Sequence, residues 1–230
     1  MARLTDARIA LAKCLPPEQK ERLKRALGRS RSGNLEWLAT VYGTDKGTQH
    51  WKRDAGHGYT SLYQRHLKRF RRSRPITLLE IGIASGASLR MWSEYFPKGM
   101  IVGIDIDDRR VDAPRVQTFQ GSQQDPPFLD SVIDRVGPPD VIIDDGSHVG
   151  EHIVASFTTL WPRLADGGLY VIEDMHTAYD PEFGGGPRGT EGTSIRLVAD
   201  LLDELYEGDV AEVHVYPDIA FVSKAASKPR

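Results

Sequence analysis

From Thr77 onward the chain alternates between two hydrophobic rhythms. Short apolar runs rich in Val and Ile, TLLEIGI (77–83), MIVGIDI (100–106), VQTFQG (116–121), DVIIDD (140–145) and GLYVIED (168–174), read as strands. Between most of them, ASLRMWSEYF, PPFLDSVIDRV and GEHIVASFTTLWPRL repeat their apolar residues at helical spacing. Alternating strands and helices are satisfied most economically by a parallel sheet with helices on both faces. A helix expected near Thr193 to Glu207 precedes AEVHVYP and IAFVSK, which predict a closing antiparallel pair. The expectation is therefore an α/β fold with a mostly parallel seven-stranded sheet whose last strand is antiparallel.

Upstream, LEWLATVYGTDKG predicts a helix that stops at Gly43, and the polar segment to Gly58 reads as a loop. GYTSLYQRHLKRF places Leu62, His66 and Phe70 at helical spacing with basic residues outward. Residues 1–30 predict two short helices divided by Pro16 and Pro17, an appendage or oligomer contact. The expected organisation is a helical extension over 1–40 and one domain over 41–230. FGGGPRGTEGT (183–193) is glycine-rich and long enough to be a mobile loop.

Composition narrows the function classes. With 230 residues and 40% hydrophobic content the chain buries one sizeable core. Thirty basic against 32 acidic side chains give a net charge of -2, so no global field points to nucleic acid or an anionic membrane. The basic run Arg65 to Arg74 reads as a solvated helix end complementing the C-terminal dipole. Cys14 is the one cysteine, which leaves no intramolecular disulfide or thiolate zinc site and fits a reducing cytoplasm. No secretory signal and no apolar run of about 18 residues is seen, so no membrane partner is expected.

The chemistry gathers where strands end. Ligands of open parallel sheets bind beyond the carboxyl ends of the strands. There, Glu80-Ile-Gly82-Ile-Ala-Ser85-Gly86 enters a helix through small residues, which lets a ligand approach the backbone and its free amides. The spacing departs from a dinucleotide GxGxxG. Asp145, Glu173 and Asp174 end two strands that would lie about 4.8 Å apart as neighbours, with His148 three residues beyond Asp145 in the expected first turn of the next helix. Clustered carboxylates repel unless a cation neutralises them, and an oxygen-rich set suits Mg²⁺. Asp144 and Asp145 are successive strand residues and point to opposite sides.

The pattern ExGxxxG resembles the first motif of class I S-adenosylmethionine-dependent methyltransferases, a Rossmann-like fold. Asp105 would then accept a ribose diol, and GSQQD (121–125) would lie along an adenine edge. YGTDKG, GYTSLYQRHL, LLEIGIASGASLRMWSEYFPKG, VGIDI, VIIDDGSH and YVIEDMHTAY together resemble the metal-dependent sugar O-methyltransferases of macrolide and related antibiotic pathways. The resemblance covers Tyr42 to Gly186. It implies Mg²⁺ held by Asp145, Glu173 and Asp174, and His148 as general base toward a sugar hydroxyl. The expected cofactor-binding set is Tyr59, Glu80, Gly82, Ser85, Gly86, Ser88, Asp105, Gln123 and Asp144. Members of the mycinamicin type carry a large auxiliary N-terminal domain, whereas the first matching motif here opens at Tyr42.

The expected partner is a small glycoside acceptor, and the expected assembly a homo-oligomer. His152 is read as a helix-face residue, while His176, Tyr59, Tyr179 and the glycine-rich segment are open between acceptor contact and ordinary packing. Rival readings are a phenol or catechol acceptor, a nucleic-acid-modifying enzyme that uses Arg65 to Arg74, and a non-catalytic cofactor-binding partner.

Overall fold

A computed structural model describes residues 15–48, 55–71 and 74–226. The strands are β1 (Thr77–Ile81), β2 (Met100–Asp105), β3 (Val116–Gln120), β4 (Val141–Asp144), β5 (Leu169–Glu173), β6 (Val210–Tyr216) and β7 (Ile219–Lys224). They form one seven-stranded sheet in the order β3-β2-β1-β4-β5-β7-β6. The first five run parallel, and β7 enters antiparallel between β5 and β6. This is the Rossmann-like α/β arrangement predicted from the alternation. Strand order reverses beside β1: β2 and β3 lie to one side, β4 and β5 to the other. Such a reversal opens a crevice beyond the carboxyl ends of β1 and β4.

The described helices are α1 (Pro17–Ser30), α2 (Leu35–Tyr42), α3 (Thr60–Leu67), α4 (Ala87–Tyr95), α5 (Pro126–Val136), α6 (Gly150–Leu160), α7 (Ser194–Asp200) and α8 (Glu204–Glu207). Local chemistry explains several boundaries. The Asn34 side chain accepts the Trp37 amide to start α2, and Gly43 at φ 74° closes it. Asp125 accepts the Phe128 amide ahead of Pro126, a good opening residue for α5. The single helix expected over Thr193 to Glu207 is two, α7 and α8, separated by a turn at 201–203. The helix expected from Gly150 to Leu164 ends at Leu160, just before Trp161-Pro162.

Two apolar cores follow from strand periodicity. One parity places Leu78, Val141, Ile143, Val171 and Phe221 against Leu38, Tyr63 and Trp92. The other places Leu79, Ile104, Ile142, Ile172 and Val222 against Leu129, Ile153 and Phe157. Strands β1, β4 and β5 are covered on both faces, which is why they read as continuous apolar runs. Helix α2 crosses the boundary expected between residues 40 and 41, and Leu35, Leu38 and Ala39 are buried in the first core. The first of the two N-terminal helices expected around Pro16, and Cys14, lie outside the described residues.

The basic segment after α3 is tied into the fold. Arg71 donates to the Tyr95 carbonyl and the Ser32 hydroxyl, both at 3.0 Å, and Arg74 pairs with Asp140. On the same helix His66 stacks on Phe221, with ring centroids 4.2 Å apart, and its Nε2 lies 3.1 Å from the Tyr216 hydroxyl. Burial, helped by the nearby His214 and Arg65 charges, lowers its pKa from 6.5 to about 4. A depressed folded-state pKa contributes stability that is complete above pH 6.5 and is lost as pH falls through about 4. Replacing His66→Phe keeps the ring stack and removes the titration. Urea unfolding of the two proteins should show the variant losing about 1 kcal/mol less than wild type across that interval, a figure reduced for partial exposure.

Candidate active site

Residues of one parity along β1, β4 and β5 face the first core, and toward the carboxyl ends that face carries Glu80 within β1, Glu173 as the last residue of β5 and Asp145 just past β4. Lys46 lies between them, 1% exposed. Its Nζ is 2.5 Å from Asp145 Oδ2, 2.7 Å from Glu173 Oε1 and 3.3 Å from Glu80 Oε1. Burial alone would lower the lysine pKa, but the charges of Asp145, Glu173 and Glu80 outweigh it and hold the ammonium charged. Burial raises the Glu80 carboxyl against the pull of Lys46. It raises Glu173 too, reinforced by the neighbouring Asp145 charge. The Tyr63 hydroxyl also donates to Glu173 Oε1.

Lys46 is placed by its loop. The Lys46 carbonyl accepts the Thr60 amide at 3.1 Å, and the Asp45 carbonyl accepts the His57 amide at 2.8 Å. Glu36 on α2 accepts the Thr48 amide at 3.1 Å and the hydroxyls of Thr48 and Thr60. A half-buried carboxylate on α2 thus fixes where α3 begins and where the ammonium points.

His148 and Asp174 complete the acidic end of the cleft. Both have left-handed backbones, φ 59° and 54°. His148 lies in the loop before α6, not in its first turn; the left-handed turn carries the ring back over the strand end. His148 Nε2 is 3.9 Å from Asp145 Oδ1 and 3.7 Å from Asp174 Oδ2. The Thr177 hydroxyl lies 3.0 Å from the His148 carbonyl and 2.8 Å from that of Asp174, linking the two turns. Tyr59 donates to Asp174 Oδ1 at 2.8 Å.

Ligand atoms of Asp145, His148 and Asp174 all lie within 4.8 Å of one another. Two carboxylates and one imidazole are donors that a hard or borderline divalent cation accepts, Mg²⁺ or Mn²⁺ among them. The donor set therefore fits a metal. Glu173 stands directly behind, its Oε1 held by Lys46 and Tyr63.

A cleft of about 420 Å³, within the range of small-ligand sites, opens beside these groups and is lined by Gly82, Ala84, Ser85, Ser88, Asp105, Asp145, His148, Glu173 and Asp174. Its floor at Gly82 has φ 92°, and a Cβ there would sit 1.9 Å from the Asp145 carbonyl oxygen. Only glycine permits that approach. Asp105 accepts the Ile83 and Ala84 amides at 2.9 and 3.2 Å through Oδ2, and the Asp107 amide at 3.0 Å through Oδ1. A second cavity of about 260 Å³ continues past Asp105 and is lined by Ile106, Gln123, Ser147 and His152.

Several expected cofactor residues stand behind the surface. Asp144, 2% exposed, turns into the second core, where it accepts from Gln123 Nε2 at 3.2 Å and from the Ser156 hydroxyl; it positions Gln123 and does not line either cavity. Gln123 Oε1 accepts the Ser147 amide at 2.9 Å. Burial pushes the Asp144 carboxyl up to about 6. Glu80 is wholly buried, with Lys46 at 3.3 Å and the Ser88 and Trp92 side chains around its carboxylate. Tyr59 backs Asp174 and Gly86 shapes the turn into α4 at φ 71°. His152 lies 2.7 Å from the Ser147 hydroxyl at the second cavity, and His176 pairs with Asp218 at 3.4 Å. Tyr179 and the glycine-rich segment line a separate cavity of about 180 Å³.

Sequence reasoning did not single out Lys46, Tyr63, His57 or Thr177. Lys46 stands in a short motif, YGTDKG, whose only local signals are its glycines; its charge partners are 34 or more residues away along the chain. His57 Nδ1 is 3.5 Å from Asp174 Oδ1 and lines the cleft.

Known proteins bear on this geometry. A family profile described as "Methyltransferase domain" matches residues 79–175. The chain is 40% identical over 221 residues, 85% of its length, to mycinamicin VI 2''-O-methyltransferase of Micromonospora griseorubida, and covers 53% of that protein. It is 39% identical over 92% of its length to 8-demethyl-8-alpha-L-rhamnosyl tetracenomycin-C 2'-O-methyltransferase of Streptomyces olivaceus, covering 60% of it. Among solved structures, the methyltransferase MycE of the mycinamycin pathway, in complex with Mg, SAH and mycinamycin VI, superposes with a TM-score of 0.77 at 41% identity. That match covers 84% of this chain and 54% of the other. The chain thus spans about half the length of the curated relatives it matches. Sequence and fold agree over the sheet and its strand-end loops, and the chain belongs to the class I S-adenosylmethionine-dependent O-methyltransferases, as a relative of the mycinamicin-type sugar O-methyltransferases.

Proposed function

We propose that the chain transfers a methyl group from S-adenosylmethionine to a sugar hydroxyl of a glycosylated natural product, in a Mg²⁺-dependent reaction. The observation that carries the reading is the convergence of Asp145, His148 and Asp174 at one end of the cleft that begins at Gly82. The relatives named above, acting on mycinamicin VI and on a rhamnosyl tetracenomycin, support a glycoside as the acceptor.

When bound, S-adenosylmethionine supplies the methyl group, and Mg²⁺ supplies Lewis acidity toward an alcohol that is otherwise a poor nucleophile. Gly82, Ser85 and Ser88 form the wall for the amino-acid portion of the cofactor. Oδ2 of Asp105 already accepts two amides, whereas Oδ1 keeps a lone pair beyond its bond to the Asp107 amide for a ribose hydroxyl. Gln123, oriented by Asp144, presents an amide beside the second cavity, where an adenine edge fits. Asp145, Asp174 and, behind them, Glu173 would hold the metal, and Tyr59 fixes the Asp174 carboxylate. His148 accepts the hydroxyl proton on Nε2 as the oxygen–carbon bond forms and the sulfur–carbon bond breaks, leaving S-adenosylhomocysteine. Imidazole suits the step because it ordinarily titrates near neutral pH.

The distances also favour a second reading in which His148 is the third metal ligand. In that case His148→Ala weakens Mn²⁺ binding; as a base it does not. A cytoplasmic location is part of the same proposal, and self-association of the chain is tested by sedimentation. No helix among the described residues is long and apolar enough to cross a membrane.

Titrating S-adenosylhomocysteine and then Mg²⁺ into EDTA-treated protein should give two saturable heats, the second lost in Asp145→Ala/Asp174→Ala. Absence of product binding overturns the methyltransferase reading. A glycoside should be methylated and its aglycone left unchanged; methylation of the aglycone moves the acceptor to a phenol or catechol. His148→Ala should lower kcat by about 10²- to 10⁴-fold with S-adenosylhomocysteine affinity unchanged. Gly82→Ala should cost roughly 2–4 kcal/mol of stability by thermal unfolding and abolish product binding, because the added methyl meets the Asp145 carbonyl.

A further inference from the structure

We propose that Lys46 is a built-in cation that occupies the acidic site ahead of the divalent metal and competes with it for Asp145 and Glu173. This rests on the metal-dependent reading above and adds to it a control on metal affinity. The ammonium sits 2.5 Å from Asp145 Oδ2 and 2.7 Å from Glu173 Oε1, both groups that the metal reading needs. Wholly buried, it has no path to swing into solvent without dismantling its loop, whose carbonyl at Lys46 accepts the Thr60 amide.

Glu80 supplies an independent observation. Its carboxylate is wholly buried beside the Ser88 and Trp92 side chains, and the cation facing it is Lys46, 3.3 Å from Oε1. Neutral donors alone leave a buried carboxylate costly unless an opposite charge compensates it. Lys46 therefore balances Glu80 permanently while lending its remaining contacts to Asp145 and Glu173. The site keeps its shape without metal. It also binds metal less tightly than its carboxylates alone would, because a positive charge lies within bonding distance of two of them. A metal at Asp145 Oδ1, the oxygen that faces His148, would share that carboxylate with the ammonium on Oδ2, so the two cations compete through one charge.

Removing the ammonium should expose this competition. At an effective dielectric near 20, a unit charge about 4 Å away is enough to change divalent-ion affinity by more than about tenfold. The experiment measures Mn²⁺ binding to the EDTA-treated full chain by the loss of the free-ion EPR signal, with circular dichroism to follow folding and Tm. Wild type is compared with Lys46→Met, with Lys46→Arg, and with Lys46→Met/Glu80→Gln, in which the buried charge and its compensation leave together.

Lys46→Met should bind Mn²⁺ more than about tenfold tighter. Lys46→Met/Glu80→Gln, whose net charge is that of wild type, should fold and bind Mn²⁺ tighter than wild type by a smaller factor, because the ammonium contacts Asp145 whereas Glu80 lies outside the ligand cluster. It should also show a larger Mg²⁺-induced rise in Tm than wild type. Lys46→Arg, which keeps the charge, should bind as wild type does. An unchanged or weaker Mn²⁺ affinity in a folded Lys46→Met/Glu80→Gln protein overturns the competition, and so does tightening in Lys46→Arg. If those results come with intact S-adenosylhomocysteine binding and methyl transfer, the functional reading stands and only the role of Lys46 falls. Failure of wild type and every variant to bind Mn²⁺ overturns the metal-dependent reading, and this proposal with it.

Discussion

An ammonium buried among three carboxylates holds the functional end of the sheet together. Strands β1, β4 and β5 are neighbours, and neighbouring strands lie about 4.8 Å apart. Acidic side chains of one parity at their ends are therefore forced close, and each raises the free energy of ionising the next. Lys46 offsets that repulsion from a single point. The arrangement reaches further than the four charges. Tyr63 on α3 donates to Glu173, and Glu36 on α2 holds the loop that carries Lys46. The segment before β1 is thus part of the site's construction, and α2 and α3 belong energetically with the sheet.

Backbone conformation does a second share of the positioning. Gly82, Ala84, Gly86, His148 and Asp174 all have positive φ, and all lie at the carboxyl ends of β1, β4 or β5. For the non-glycine residues this costs roughly 1–3 kcal/mol each. The strands behind them are buried on both faces and supply the rigidity that holds such turns in place. Thr177 lies within hydrogen-bond distance of the carbonyls of both His148 and Asp174, so one hydroxyl ties together the two turns that aim the imidazole and carboxylate at each other. Without the left-handed turn His148 would continue toward α6 and lose its approach to Asp174.

How much of this the sequence revealed depends on the range over which each signal acts. The strand runs and the period-3.6 stretches are local, and TLLEIGI, DVIIDD and PPFLDSVIDRV fold within two residues of where their patterns end. Asp145, His148 and Asp174 were legible because strand ends and a three-residue spacing confine them to one edge. Lys46 was not, since nothing near YGTDKG says that its amine will cross to Glu173, 127 residues away. Nor was the interior fate of Glu80 visible: an acid in a strand of otherwise apolar residues reads equally as a ligand group or as half of a buried pair. The split of the helix after Thr193 turned on Leu201–Asp203, where residues with ordinary helix propensity form turns instead.

The adjacent acids Asp144 and Asp145 show why the two cavities belong to one site. A strand side chain alternates faces at every residue, so one aspartate must serve the first core and the other the second. Asp145 goes to Lys46 and the acidic end of the cleft; Asp144 goes to Gln123 and Ser156, on the other side of the sheet. Gln123 then accepts the Ser147 amide, in the same loop that delivers His148. A carboxylate buried in the second core thereby fixes both the wall of the second cavity and the start of the turn that aims the imidazole. Exchanging the parity of either aspartate by a one-residue slip of β4 would send a charge into each core at once. Register in β4 is consequently enforced by chemistry on both faces, and the second cavity and the acidic site cannot shift independently of one another.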